Sequence, residues 1–196
     1  MGYVELETSR PIWERFLSVS PLVVIGTVEE DGTLDLAPKH MVTPLGWDNY
    51  FGFVCTPRHA TLRNAAREKG FTVSYPRPDQ LLHASLMAAP RCEDGQKPSL
   101  TGLPIVGASR VPGPLIDGAY IQLECRLERV VEGFGENVLV VGKIIAARVL
   151  EEAARSLERE DERLVAEQPL LAYLAPGQFA RIAESRSFPF PAGFTR

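Results

Sequence analysis

Two strand-length runs joined by one tight turn do most to limit what this chain can fold into. AYIQLECRLERVVEG begins at Ala119, ENVLVVGKIIAARVL ends at Leu150, and only Phe134-Gly135 lies between them. Alternating and β-branched residues over such lengths read as one long antiparallel hairpin. A second hairpin is read near the other end, in PLVVIGTVEEDGTLDLAP (21–38), where Asp31-Gly32 is the turn signal. DNYFGFVC (48–55) is a further strand, broken by Pro57, and FTVSYP (71–76) a shorter one. With about six strands, and helices between them in no regular βαβ alternation, the fold class is mainly β: an antiparallel Greek-key barrel, closed or split, with flanking helices. Closure also removes the exposed edges that long apolar strands would otherwise leave.

Three helices are expected. Pro11–Ser18 carries Pro in a first turn with Ser9 as cap, RHATLRNAAREKG (58–70) has helical spacing with Gly70 as its stop, and PDQLLHASLMAA (78–89) is amphipathic. Residues 90–114 are rich in Gly, Pro and Ser and read as a long loop with one helical turn. The tail after Leu150 is charged and partly helical. No repeat or boundary interrupts the chain, so residues 1–196 are read as one domain, with a core over about 18–150 and a C-terminal extension over 151–196.

The composition removes several functional classes. The net charge is -4 and the basic residues are scattered, so no nucleic-acid surface is expected. No apolar run reaches the ~20 residues of a membrane span, and three carboxylates in the first fourteen residues exclude a signal or transit peptide, so a cytoplasmic protein is expected. Cys55, Cys92 and Cys125 are three in number and far apart, which speaks against a disulfide framework or a metal knuckle. Neither a Gly-rich dinucleotide turn nor a hydrolytic triad can be assembled.

Two segments carry possible chemistry. In LDLAPKHMVTP (34–44), Pro38 is read as interrupting a strand and freeing backbone groups that could meet the edge of a flat heterocycle, with Lys39 and His40 supplying positive charge. On the residues alone a plain bulged strand is the favoured reading. In CTPRHATLRNAAREKG (55–70), Thr56, Arg58, His59 and Thr61 gather at a helix start, where unpaired N–H groups and the positive dipole end suit a phosphate. Spacing alone leaves open that a threonine merely caps the helix while Arg58 is solvated. Glu124 is read as a paired or rim carboxylate rather than a catalytic acid.

Taken in order, PLVVIGTVEEDG, LDLAP, TLRNAAREKGFTVSYP, LTGLPIVGASRVPGPLIDGAYIQLECRLERVV and NVLVVGKIIAARV resemble the flavin reductase-like family of FMN-binding split barrels, which includes flavoredoxin. The resemblance runs from about Pro21 to Val149. It implies an FMN-binding split barrel, with the flavin ring along the backbone after the LAP segment and the phosphate near the strand-to-helix turn. The cofactor-binding positions it implies are Ala37, Pro38, Lys39, His40 and Met41, together with Thr56, Arg58, His59 and Thr61. It further implies a homodimer and a flavin reductase type of oxidoreductase, passing hydride or electrons from NAD(P)H through flavin to an acceptor, with free flavin as a further small-molecule partner. The flavin itself carries the chemistry, so no catalytic side chain is assigned. The chain departs from the family in having Lys39 and His40 where small or hydroxyl residues are usual, and His59-Ala60 before the helix threonine. An FMN-binding electron carrier or store without NAD(P)H turnover is the alternative, and a barrel that has lost flavin ranks third.

Overall fold

The computed structural model describes residues 1–90, 92, 97, 100, 104–156 and 159–193, and strands dominate them. In chain order these are β1 (Ser18–Pro21), β2 (Val23–Val28), β3 (Leu34–Lys39), β4 (Val42–Pro44) and β5 (Tyr50–Cys55). Helix α1 (Ala60–Glu68), β6 (Gly70–Tyr75) and helix α2 (Leu81–Leu86) follow, then β7 (Ile105–Gly107), β8 (Pro114–Ile116), β9 (Ile121–Phe134) and β10 (Asn137–Val149). Helix α3 (Asp161–Glu167), β11 (Leu170–Ala175) and β12 (Gln178–Ile182) complete the series.

Seven strands form one antiparallel sheet in the order β3-β2-β6-β9-β10-β5-β4. Its two outer strands are consecutive in the chain, and only His40 and Met41 separate them. Laid flat, six strand spacings would hold β3 and β4 about 29 Å apart, whereas the link from Lys39 to Val42 reaches at most about 10 Å. The sheet therefore has to curl until its edges approach each other. Because β3 and β4 do not pair, the result is a split barrel.

Alternation then divides the strand residues between two cores. Val23 and Ile25 of β2, Phe51 and Phe53 of β5, Phe71 and Val73 of β6, Leu123 and Cys125 of β9 and Val138 and Val140 of β10 fill the interior. The Phe53 and Phe71 rings meet edge to face at 5.1 Å between centroids. Gly142 of β10 makes room for this pair, since a Cβ there would run into the Phe71 ring. Leu62 and Ala65 carry α1 against the same core. On the outside of the sheet, Val24 and Leu36 pack with Ala84 and Met87 of the α2 segment and with Ile116 of β8. The β7–β8 hairpin lies over this face: the Thr72 hydroxyl donates to the Pro114 carbonyl, and Ile116 N–H donates to Ser74 Oγ at 2.9 Å.

Glu124 holds the tip of that hairpin. Its carboxylate is buried and accepts Ser109 N–H at 2.9 Å, Ser109 Oγ at 3.0 Å, Val111 N–H at 3.3 Å and Arg110 N–H, with the Arg148 guanidinium at 3.7 Å. It is a paired carboxylate, as expected, but a buried one. A third sheet has the order β1-β11-β12, with Ser18 opposite Ala175 and Pro21 opposite Ala172. The C-terminal hairpin thus returns to lie beside the strand that leads into the barrel.

Both predicted hairpins, the strands at 50–55 and 70–75 and the helices at 60–68 and 81–86 form as read. Four readings are corrected. Of residues 11–18, read as a helix, 11–17 hold a turn, with Arg15 N–H donating to Ile12 O, and Ser18 already opens β1. Strand β3 continues through Pro38, which sits opposite Val24, because β3 is an edge strand whose free side needs no N–H. Lys69, not Gly70, takes the left-handed position that ends α1, and Gly70 already pairs in β6. The segment read as a loop over 90–114 includes β7 and the first residue of β8, while 91, 93–96, 98–99 and 101–103 of it lie outside the described residues.

Candidate functional site

The two-residue link that closes the barrel is also where the backbone leaves its ladders. Met41 O accepts Val54 N–H at 2.9 Å, but the N–H groups of His40 and Met41 make no hydrogen bond among the described residues. Ala37, Pro38, Lys39 and His40 are half-buried and Met41 is exposed. The freed groups predicted around Pro38 thus lie one turn of chain later, and barrel closure creates them rather than the proline. The His40 ring stacks on Tyr173 of β11, with centroids 4.3 Å apart and planes at 30°. Burial, followed by the Lys39 charge, holds the His40 imidazole below its usual range, so of the two residues expected to supply positive charge here Lys39 does so and His40 does not.

The second segment begins where β5 ends. His59 is the N-cap of α1, supplies no side-chain capping bond, and no acidic residue occupies the first helical turn. The N–H groups of Ala60 and Thr61 make no hydrogen bond among the described residues, and Leu62 N–H reaches His59 O at 3.3 Å. The helix start is therefore positive in dipole and donor-rich. Thr56 is half-buried just ahead of it and Thr61 is buried on the inward face with Asn64 and Ala65. Arg58 is exposed and its guanidinium is paired with Glu136, from the turn between β9 and β10. Arg63 donates to the Arg58 carbonyl at 3.0 Å, which fixes the backbone leading into the helix.

Lys39 connects the two segments. Its charge acts on His40 beside it and also on His59 and Cys55 across the split in the barrel. Burial first, then Lys39 and Arg58, lower the His59 imidazole. The curled sheet thus brings the strip 39–41 and the helix start 56–61 into one electropositive neighbourhood. Cys55 is buried there, with Sγ 4.0 Å from His59 Nδ1. Burial pushes its thiol up, outweighing the Lys39 charge and the Leu62 and Thr56 backbone bonds that pull it down. A protonated thiol of this kind lines a site rather than attacking a substrate.

Two neighbours were not anticipated from the sequence. Tyr173 arrives from a strand more than a hundred residues away, and Glu136 arrives through the long hairpin. An apolar recess of about 470 Å³ adjoins the strip, lined by Leu22, Pro38, Leu81, Leu82, Tyr173 and Phe179 among others. Among the described residues no group of His, Cys, Asp and Glu could hold a metal ion. None of the helices they form is long and apolar enough to cross a membrane.

The family profile described as the flavin reductase like domain matches residues 17–179. Among solved structures, the 2-nitrobenzoate 2-nitroreductase of Pseudomonas fluorescens is similar at a TM-score of 0.79 and 18% identity, covering 100% of this chain and 99% of that one. Nitrilotriacetate monooxygenase component B of Bacillus cereus gives 0.80 at 18% identity, covering 96% and 100%. A flavoredoxin of Methanosarcina acetivorans gives 0.78 at 17% identity, covering 98% and 98%. At these identities the structural likeness bears on the fold, which is that of the split barrels.

Proposed function

The chain belongs to the flavin reductase-like family, and from that premise we propose that it binds FMN non-covalently and works as an oxidoreductase fed by NAD(P)H. The observation that carries the reading is the bond from Val54 N–H to Met41 O at 2.9 Å, which ties the unladdered strip to the strand that runs into the helix start, so a single ligand with a flat ring and a phosphate can span them. The donor set fits such a ligand. Backbone N–H groups of His40 and Met41 suit the polar edge of the ring, while Ala37 and Pro38 wall one side. Arg58, Thr56, His59 and the open N–H groups of Ala60 and Thr61 suit the phosphate.

Bound flavin supplies the hydride and electron chemistry. The contribution of the chain is to bind, orient and compensate charge. Lys39, with Arg58 at the phosphate end, offsets negative charge that builds on reduction, and the half-buried setting of Lys39 strengthens this. The imidazoles of His40 and His59, both held below their usual range, are neutral near pH 7 and can donate one hydrogen bond each without adding charge.

In this reading residues 1–196 act as one domain and the protein works as a cytoplasmic homodimer. Support for pairing comes from Val130, Phe134, Ile145 and Val149, apolar residues left exposed on β9 and β10. Three free cysteines suit a reducing compartment. The test is a titration with FMN, FAD and riboflavin, followed by NADH or NADPH oxidation. Arg58→Ala is expected to weaken FMN binding by about 1–3 kcal/mol, the worth of a charge-assisted hydrogen bond, and to leave riboflavin binding unchanged. Equal FMN affinity in that variant would remove Arg58 from the site. Tight flavin binding with no turnover of either nicotinamide would make the protein an electron carrier instead.

A further inference from the structure

We propose that Glu136, at the tip of the β9–β10 hairpin, sets flavin affinity by competing with the flavin phosphate for the Arg58 guanidinium, an inference that rests on the reading of Arg58 as a phosphate ligand. Strand register makes the pairing a property of the fold. Val138 of β10 lies opposite Cys55 at the end of β5, so the residues just before Val138 run alongside those just after Cys55. Gly135 takes a left-handed φ of 65°, which keeps the turn tight and sets Glu136 facing the approach to α1. There the guanidinium of Arg58 donates to its carboxylate.

No other carboxylate among the described residues forms an ion pair with Arg58, and the first turn of α1 has no acid of its own. Glu136 therefore supplies the anion at a position otherwise prepared for a phosphate. A phosphate monoester carries close to two charges at neutral pH and takes the same donors. Its arrival has to displace the carboxylate, and the freed Glu136 then stands beside a group of like charge. Both effects weaken binding. For an exposed pair they amount together to about three- to tenfold in Kd. The consequence is a flavin that exchanges with solution more readily than it would in a site without this competitor.

The test compares the wild type, Glu136→Gln, Arg58→Ala and the double variant by quenching of flavin fluorescence, with FMN and with riboflavin, which lacks the phosphate. Glu136→Gln is expected to tighten FMN about three- to tenfold, to leave riboflavin unchanged, and to give a clearly smaller gain once Arg58 is alanine, when only the like-charge repulsion is left to relieve. If Arg58→Ala weakens FMN while Glu136→Gln leaves it unchanged, competition is overturned and Arg58 stands as a phosphate ligand. If Arg58→Ala leaves FMN affinity unchanged, the reading of Arg58 fails and this proposal fails with it. A gain that persists undiminished without Arg58, or appears equally with riboflavin, also overturns it. Both side chains are exposed, so the melting curves of the four proteins are expected to coincide.

Discussion

Replacing Glu124 by glutamine keeps the side-chain shape and removes the charge on which three backbone N–H groups and a hydroxyl converge. Oε2 accepts from Ser109, Arg110 and Val111, and Oε1 from Ser109 Oγ with Arg148 nearby. An amide can place its carbonyl at the first position, so the three backbone bonds survive but lose charge assistance. At roughly 1 kcal/mol each, the difference between charged and neutral acceptors, the substitution costs about 3 kcal/mol. For a chain of this length that lowers Tm by about 6–12 °C. Glu124→Leu would orphan all three donors and cost more, a large share of a typical stability of about 5–15 kcal/mol.

The pH dependence separates this account from a simple packing effect. Burial alone would raise the Glu124 carboxyl, but the bonds from Arg110, Ser109 and Val111 outweigh it and hold the group below its ordinary value of 4.5. A carboxylate depressed on folding stabilises the native state above its unfolded pKa, and that stability is lost as pH falls through the folded pKa. The gap between wild type and Glu124→Gln should therefore be widest near neutral pH and narrow as the solution is taken below pH 4.5. Urea unfolding followed by far-UV circular dichroism at about pH 7 and in the acid range measures it directly. A gap that is the same at both, or below about 1 kcal/mol near neutrality, would refute the charged clamp.

Two further perturbations test the packing. Gly26 faces β8 so closely that a Cβ would collide with the Pro114 carbonyl and the Thr72 hydroxyl, so Gly26→Ala is expected to cost about 3 kcal/mol or more, read from the urea midpoint. Neutral stability in that variant would mean that the β7–β8 hairpin does not sit on β2 as described. Cys55 and Cys125 are buried, with the Cys125 thiol pushed up to about 12 by burial and then by Glu124, whereas Cys92 is exposed. A thiol-disulfide reagent should therefore label Cys92 alone in the native protein and all three cysteines in denaturant. Rapid native labelling of a second thiol would contradict the closed packing around Cys55.

What could be read from the sequence was local. Asp31-Gly32 and Phe134-Gly135 announce their hairpins, and Ala and Leu at helical spacing announce α1, because both signals depend only on neighbours in the chain. The failures have the same origin. Pro11 and Ser9 offer a helix start, but Trp13, Phe16 and Leu17 are exposed rather than packed on a neighbour, and so short a segment does not hold a helix unaided. Strands β4, β7 and β8 have three residues each, too few to show a period: β4 exists because β5 pairs with it, while β7 and β8 pair with each other and are held on the sheet by Thr72 and Ser74. Tyr173 could not be found beside His40 from the sequence, since what brings it there is the pairing of β11 with β1.

The strip after β3 shows how freed backbone can be foreseen for the wrong cause. The sequence points to residues 38–41 through Pro38, read as a breaker that frees the backbone. In the fold Pro38 breaks nothing: it is tolerated in β3 because that strand is an edge. The backbone is freed at His40 and Met41 because the chain must pass there from one edge of a seven-stranded sheet to the other, and neither edge can extend its ladder across the gap. The same crossing swings β5, and the helix start that follows it, up to Lys39. Unladdered donors, a half-buried ammonium and an open helix start are thus products of a single event, the incomplete closure of the barrel. Pairing β3 directly to β4 would close the sheet and consume the donors on which the proposed flavin site depends, which gives the split in the barrel a functional reason to be there.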